Sequence, residues 1–172
     1  ACIPTINYAL KNNAKILLIS HLGRPAEGSF EEKFSLKPVA KHLSNIINKT
    51  CKLISSLESD EIFDGESNVQ LLENIRFFKG EIENDLQFSE ELSKLGEIFI
   101  NDAFACSHRK QSSIHNITKF IKEVYGGPLL KKEIEAIDLI IKEKKSPVTC
   151  IIGGAKISTK IKVIINLIKN VD

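Results

Sequence analysis

The chain has 172 residues, 42% of them apolar and 27% charged, with 24 Lys and Arg against 22 Asp and Glu. That length allows one compact domain and a piece of a second, and so near-neutral a charge counts against a nucleic-acid footprint spread over the whole surface. No apolar stretch approaches the roughly 18 residues of a membrane span, no signal peptide opens the chain, and four cysteines without CxxC spacing argue against a zinc site or a disulfide framework, as suits a reducing cytoplasm.

In chain order, Pro4 to Asn12 predicts a short helix, since proline suits a first turn and Ile6 and Leu10 share a face. Lys15-Ile16-Leu17-Leu18-Ile19 is dense enough in Ile and Leu for a strand buried on both faces of a parallel sheet. Residues 26–34 read as a polar loop. Ser35 is the expected N-cap of a helix to about Asn48, with Pro38 in its first turn and Leu36, Val39, Ala40, Leu43, Ile46 and Ile47 at helical spacing. Lys52-Leu53-Ile54 and Val69-Gln70-Leu71-Leu72 predict short strands, Asp85 caps a helix through Leu95, and Glu97-Ile98-Phe99-Ile100 predicts a further strand. Gly126-Gly127-Pro128 opens a long amphipathic helix with Leu130, Ile134, Ile137 and Ile141 as its stripe, ended by the charged run before Pro147. Val148 to Ile152 predicts a last strand, and a helix carrying Ile161, Ile164, Ile165 and Ile168 starts at Ser158 or Thr159. Strands alternating with helices imply βαβ units and a parallel sheet. A chain that starts at Ala1, holds no methionine and stops at Asp172 just after a helical pattern reads as a piece of a longer polypeptide, cut at both ends.

Ligands of open α/β sheets bind beyond the carboxyl ends of the strands, and four such ends carry suitable groups. They are Ser20-His21-Leu22-Gly23-Arg24-Pro25, Glu73-Asn74-Ile75-Arg76-Phe77, Asn101-Asp102-Ala103-Phe104 with His108-Arg109, and Gly153-Gly154-Ala155-Lys156 with Lys160. Each alone has a plainer reading. Arg76 pairs with Glu73 or faces solvent; Asp102 orients His108 or caps a turn; Gly153-Gly154 is a strand–helix turn with two solvated lysines that misses the P-loop spacing. Their recurrence at four strand ends favours function. His21, Arg24, Arg76 and Arg109 then form a basic bowl suited to a small phosphorylated acid, because guanidinium groups grip phosphate bidentately. Gly153 and Gly154 admit close approach of backbone N–H groups to a phosphate, and Lys156 and Lys160 reach its oxygens. No Ser–His–Asp or Cys–His set stands out. A nucleophile already ionised at neutral pH needs none, which points to phosphoryl transfer by positioning and charge neutralisation.

These four segments resemble phosphoglycerate kinase, in order and at compatible separations. Pro4-Thr5-Ile6 and the closing Asn166-Leu167-Ile168 with Val171-Asp172 extend the resemblance over nearly the whole chain. It implies a three-layer αβα, Rossmann-like parallel-sheet domain lacking its first strand. Residues 1–128 correspond to the phosphoglycerate-binding domain, 129–146 to an interdomain helix, and 147–172 to the first strand and helix of a nucleotide-binding domain. The implied reaction is reversible phosphoryl transfer between 1,3-bisphosphoglycerate and ADP, giving 3-phosphoglycerate and ATP, in glycolysis and gluconeogenesis. By that resemblance His21, Leu22, Gly23 and Arg24 contact the acid, and Arg76 and Arg109 hold its phosphate. Lys156 and Arg24 are catalytic, while Lys156, Lys160, Gly153 and Gly154 meet the nucleotide. Magnesium ligands fall outside these residues, and no metal ligand is assigned within them. The full-length protein is expected to be a cytoplasmic monomer acting on small molecules, without nucleic acid or membrane as partner, and the 172-residue chain alone is expected to be inactive. A non-catalytic remnant or an anion-binding module of the same fold is the alternative. A nucleic-acid or membrane-surface protein is a third reading, disfavoured by charge and by the lack of aromatic–basic interleaving.

Overall fold

The computed structural model describes residues 1–58, 62, 63, 65, 67–142, 147–153 and 160–168. The chain divides into two compact units, Ala1–Leu129 and Leu130–Asp172. No helix among the described residues is long and apolar enough to cross a membrane.

The first unit begins with α1 (Ile3–Lys11), which carries Pro4 in its first turn and buries Ile6. Strand β1 (Ile16–Leu18) follows, then α2 (Lys37–Ile47), β2 (Cys51–Ile54), β3 (Val69–Leu72), α3 (Leu86–Ser93), β4 (Ile98–Asn101) and β5 (Glu123–Gly126). Every strand pairing is parallel. One sheet has the order β1-β3-β2, with Ile16 and Cys51 both opposite Val69; the other pairs β4 with β5, Ile98 opposite Glu123. The fold is thus a parallel α/β one. Its strands divide between two ladders, and β1 and β4 each keep an edge without a ladder partner among the described residues.

Side chains alternate across the first sheet as the strand period of two demands. Ile16, Leu18, Val69 and Leu71 join one apolar cluster with Ile6 of α1 and Leu36, Ala40 and Leu43 at α2. Leu17, Leu72 and Ile54 point to the other face and pack with Phe88 and Leu92 of α3, Ile75 and Ile117. Helices on both faces of parallel strands give the three layers. The strand at β4 departs from its apolar pattern: Phe99 reaches the second cluster, but Ile98 and Ile100 are 59% and 44% exposed, since nothing among the described residues covers their face.

Three local expectations change. Leu36, not Ser35, is the N-cap of α2; the Ser35 hydroxyl is drawn instead to Glu73 at 2.7 Å and accepts the Lys37 N–H at 3.2 Å. Asp85 does cap α3, accepting the Phe88 N–H at 2.8 Å, but the helix stops at Ser93. In the second unit, residues 147–153 form no strand. A strand is defined by its ladder, and the described residues of that unit offer none, leaving Ile151 92% exposed. The long helix α4 (Pro128–Lys142) and the terminal α5 (Ile161–Ile168) form where periodicity places them. The expected start of α5 at Ser158 or Thr159 lies outside the described residues.

Candidate functional site

Strand β3 delivers Glu73 and Asn74 into the interior, where they build the loop after β1. The Glu73 carboxylate accepts from the Ser35 hydroxyl, the Leu36 N–H and the Asn74 N–H at 2.7, 2.7 and 2.8 Å. Both its oxygens are thereby committed to the start of α2, so Arg76 does not have it as an ion-pair partner. The Asn74 amide donates to the carbonyls of Leu22 and Phe34 at 2.8 and 2.9 Å, and its Oδ1 accepts the Arg76 N–H. Ile75 N–H meets the Ser20 carbonyl at 3.1 Å, and the Arg76 guanidinium donates to the Gly23 carbonyl. Residues 20–24 are therefore moulded on the segment that follows β3. Gly23 is required there: its φ is +63°, and a Cβ would lie 2.2 Å from the Phe34 ring.

The segment after β4 is shaped by Asn101 and Asp102. Asn101 accepts the Ala103 N–H at 3.0 Å and donates to the Ser107 hydroxyl at 3.1 Å. Asp102 takes the capping role of its two readings, accepting from the Thr5 hydroxyl at 2.6 Å and the Leu129 N–H at 2.7 Å. His108 is exposed. Arg109 turns back toward β1, and with His21 it lines a cavity of about 280 Å³ whose wall includes Ile19, Ile75, Cys106 and Glu81.

Arg109 and Glu81 are the charged residues lining this cavity, and Arg76 lies outside its lining. Arg76 is buried, 6% exposed, yet no carboxylate lies within ion-pair distance of it among the described residues. Burial, then the guanidinium groups of Arg109 and Arg24, push its pKa down; Glu81 pulls it the other way. Of the sequence-predicted cations, Arg109 and Arg24 both act on Arg76, and Arg76 and Arg109 both act on His21; His21 and Arg109 share the cavity lining. Glu81 has its own carboxylate occupied by Ser113, and burial pushes its pKa up. Guanidinium groups gathered in this way can receive an anion.

His21 is disfavoured as a fourth charge. Burial lowers its pKa below the ordinary 6.5, and Arg76 and Arg109 lower it further. The unfolded chain therefore binds a proton at a higher pH than the folded chain, and stability rises with pH through this window. Full stability is expected above about pH 6.5, with a loss as pH falls through that value. Melting temperatures measured from pH 7.5 to 5.5 are expected to fall for the chain and to fall less for His21→Gln; identical slopes would show that His21 does not carry the effect.

Leu22 and Gly23 enter the site through backbone carbonyls already engaged by Asn74 and Arg76. Gly153 and Lys160 belong to the second unit, where the Lys160 ammonium donates to the Gly153 carbonyl at 2.6 Å. Gly154 and Lys156 lie outside the described residues. Among the described residues no three His, Cys, Asp or Glu side chains are grouped to hold a metal ion. Glu81 escaped the sequence reading, because nothing in Lys79-Gly80-Glu81 announces a partner 32 residues away.

Fold and site together define a parallel α/β protein with an electropositive cleft at the carboxyl ends of its strands. The family model for phosphoglycerate kinase matches residues 1–172, and the chain belongs to that family. It is 45% identical over 177 residues to phosphoglycerate kinase of Aquifex aeolicus and 42% identical over 173 residues to that of Francisella tularensis subsp. novicida, covering 100% of this chain and 44% of each relative. The solved structure of phosphoglycerate kinase from Coxiella burnetii superposes with a TM-score of 0.86 at 40% identity, covering 99% of this chain and 43% of that one. The chain spans less than half the length of these relatives.

Proposed function

We propose that this chain is the acid-binding half of a phosphoglycerate kinase, taking 3-phosphoglycerate and 1,3-bisphosphoglycerate in the cavity beside His21 and Arg109. The observation that carries this reading is the buried Arg76, surrounded by Arg24 and Arg109 and paired with no carboxylate among the described residues. In this reading Arg76 and Arg109 hold the phosphate of the acid, and His21 with the 22–24 backbone orients its carboxylate end. That carboxylate is ionised at neutral pH and needs no general base. In the direction of acyl phosphate formation, one of its oxygens gains the bond to phosphorus as the bond to the ADP oxygen breaks, and no proton moves. Arg24 and Lys156 neutralise charge on the group in transit, the main catalytic contribution in phosphoryl transfer. ATP or ADP meets Lys156, Lys160, Gly153 and Gly154, and the magnesium ion neutralises nucleotide charge when bound. Residues 129–146 link the two halves, and the acid-binding half by itself holds its ligand without turning it over.

Calorimetry on the chain tests the site. 3-Phosphoglycerate is expected to bind, glycerate without the phosphate to bind at least about tenfold more weakly, and Arg109→Ala to lose about ten- to hundredfold in affinity, as for a charge-assisted contact. Equal affinity of Arg109→Ala and the unaltered chain removes the assignment.

A further inference from the structure

Arg76 and Arg109 stand on different ladders: Arg76 follows β3 of the three-stranded sheet, and Arg109 follows β4 of the two-stranded one. Backbone pairing between strands therefore does not fix the distance between them, yet a grip on one phosphate from two sides depends on that distance. What ties the two segments is a set of hydrogen bonds centred on Glu81, the only acid among the described residues lining the cavity. Its two carboxylate oxygens accept the Ser113 N–H at 2.9 Å and the Ser113 hydroxyl at 2.7 Å, while its carbonyl accepts the Ser112 N–H at 2.9 Å. The Ser112 hydroxyl donates to the Gly80 carbonyl at 2.7 Å, and the Asn116 N–H to the Asn84 side chain at 3.2 Å. Glu81 is 1% exposed and Ser112 is fully buried, so these bonds do not compete with water.

We infer that Glu81 is a positioning residue for phosphate recognition: by clasping the 112–113 backbone it holds Arg109 at the separation from Arg76 that one phosphate requires. Glu81 stands five residues after Arg76 and Ser113 four after Arg109, and Glu81, Ser113 and Arg109 line the same cavity. Glu81 also favours the Arg76 charge without forming an ion pair with it. A glutamine at this position keeps the shape and can still meet the Ser113 N–H and hydroxyl, but it exchanges two charge-assisted bonds for weaker neutral ones. The inference rests on the reading of the cavity as a phosphoglycerate site.

The test is a double-mutant cycle on the chain with 3-phosphoglycerate as probe, read by calorimetry and by the phosphorus NMR signal of the bound ligand. Glu81→Gln is expected to lose about tenfold in affinity and to shift that signal. Ser113→Ala, which removes a single hydroxyl and whose fold is checked by circular dichroism, is expected to lose affinity in the same sense. In the Arg109→Ala background Glu81→Gln is expected to cost little more, because its effect runs through that arginine. If both single variants bind like the unaltered chain with an unmoved signal, or if the Glu81 and Arg109 effects add in full, the positioning role is wrong. A chain that fails to bind 3-phosphoglycerate at all overturns the phosphoglycerate reading itself.

Discussion

Glu73→Ala is expected to cost about 3–5 kcal/mol of folding stability, because three buried donors lose their acceptor at once. The Ser35 hydroxyl and the N–H groups of Leu36 and Asn74 all end on this one carboxylate, and no solvent reaches them: Ser35, Leu36, Glu73 and Asn74 are each 5% exposed or less. The negative charge also sits against the first turn of α2, where exposed N–H groups favour an anion. Losing it frees Asn74, and with Asn74 the Leu22 and Phe34 carbonyls that shape the loop after β1. Urea denaturation should show a much lower midpoint for Glu73→Ala and a loss of only about 1 kcal/mol for Ser35→Ala, which removes one donor. A Glu73→Ala midpoint within the Ser35→Ala range would mean that the start of α2 is held by something else.

The cations of the site could be read from the chain because each follows directly on an apolar strand, so position in the fold follows from position in the sequence. Their scaffold could not. Asn74 finds its acceptors 52 and 40 residues away, and Glu81 finds Ser113 at 32, distances over which one sequence carries no signal. Strand β5 was missed for a related reason: Glu123, Val124, Tyr125 and Gly126 are all exposed, show no alternation, and form a strand solely through their ladder with β4. Residues 147–153 make the converse case, with apolar residues of strand character and no described ladder to join. Periodicity reports which face a residue wants to bury; whether a strand exists depends on a second segment. The apolar Ile98 and Ile100 follow the same rule, exposed because the face they offer is uncovered. Gln70 is harder. It sits at the centre of β3, 1% exposed, with neither amide atom bonded among the described residues, and nothing in the structure explains it.

Arg76→Leu is expected to do the opposite of Glu73→Ala, three residues away in the same buried segment. Burial and the nearby Arg109 and Arg24 all disfavour the Arg76 charge, and its guanidinium partner among the described residues is the carbonyl of Gly23, an exposed residue whose oxygen water can serve. A leucine keeps an apolar stem at this buried position and relieves the repulsion. Stability is expected to stay within about 1 kcal/mol of the unaltered chain or to rise, as when buried charges give way to apolar groups. Affinity for 3-phosphoglycerate is expected to fall at least about a hundredfold, since a buried charge facing a phosphate is worth about 2–5 kcal/mol when truncated. Urea denaturation and calorimetry on one preparation check both halves. An Arg76→Leu chain as unstable as Glu73→Ala would make Arg76 a structural tie of the 20–24 loop; a stable chain that binds with undiminished affinity would remove it from the site. The expected pattern, intact fold and lost binding, follows from electrostatics: a guanidinium buried near two others is a cost to the empty protein that Glu81 and the Gly23 carbonyl offset in part and an anionic ligand offsets further.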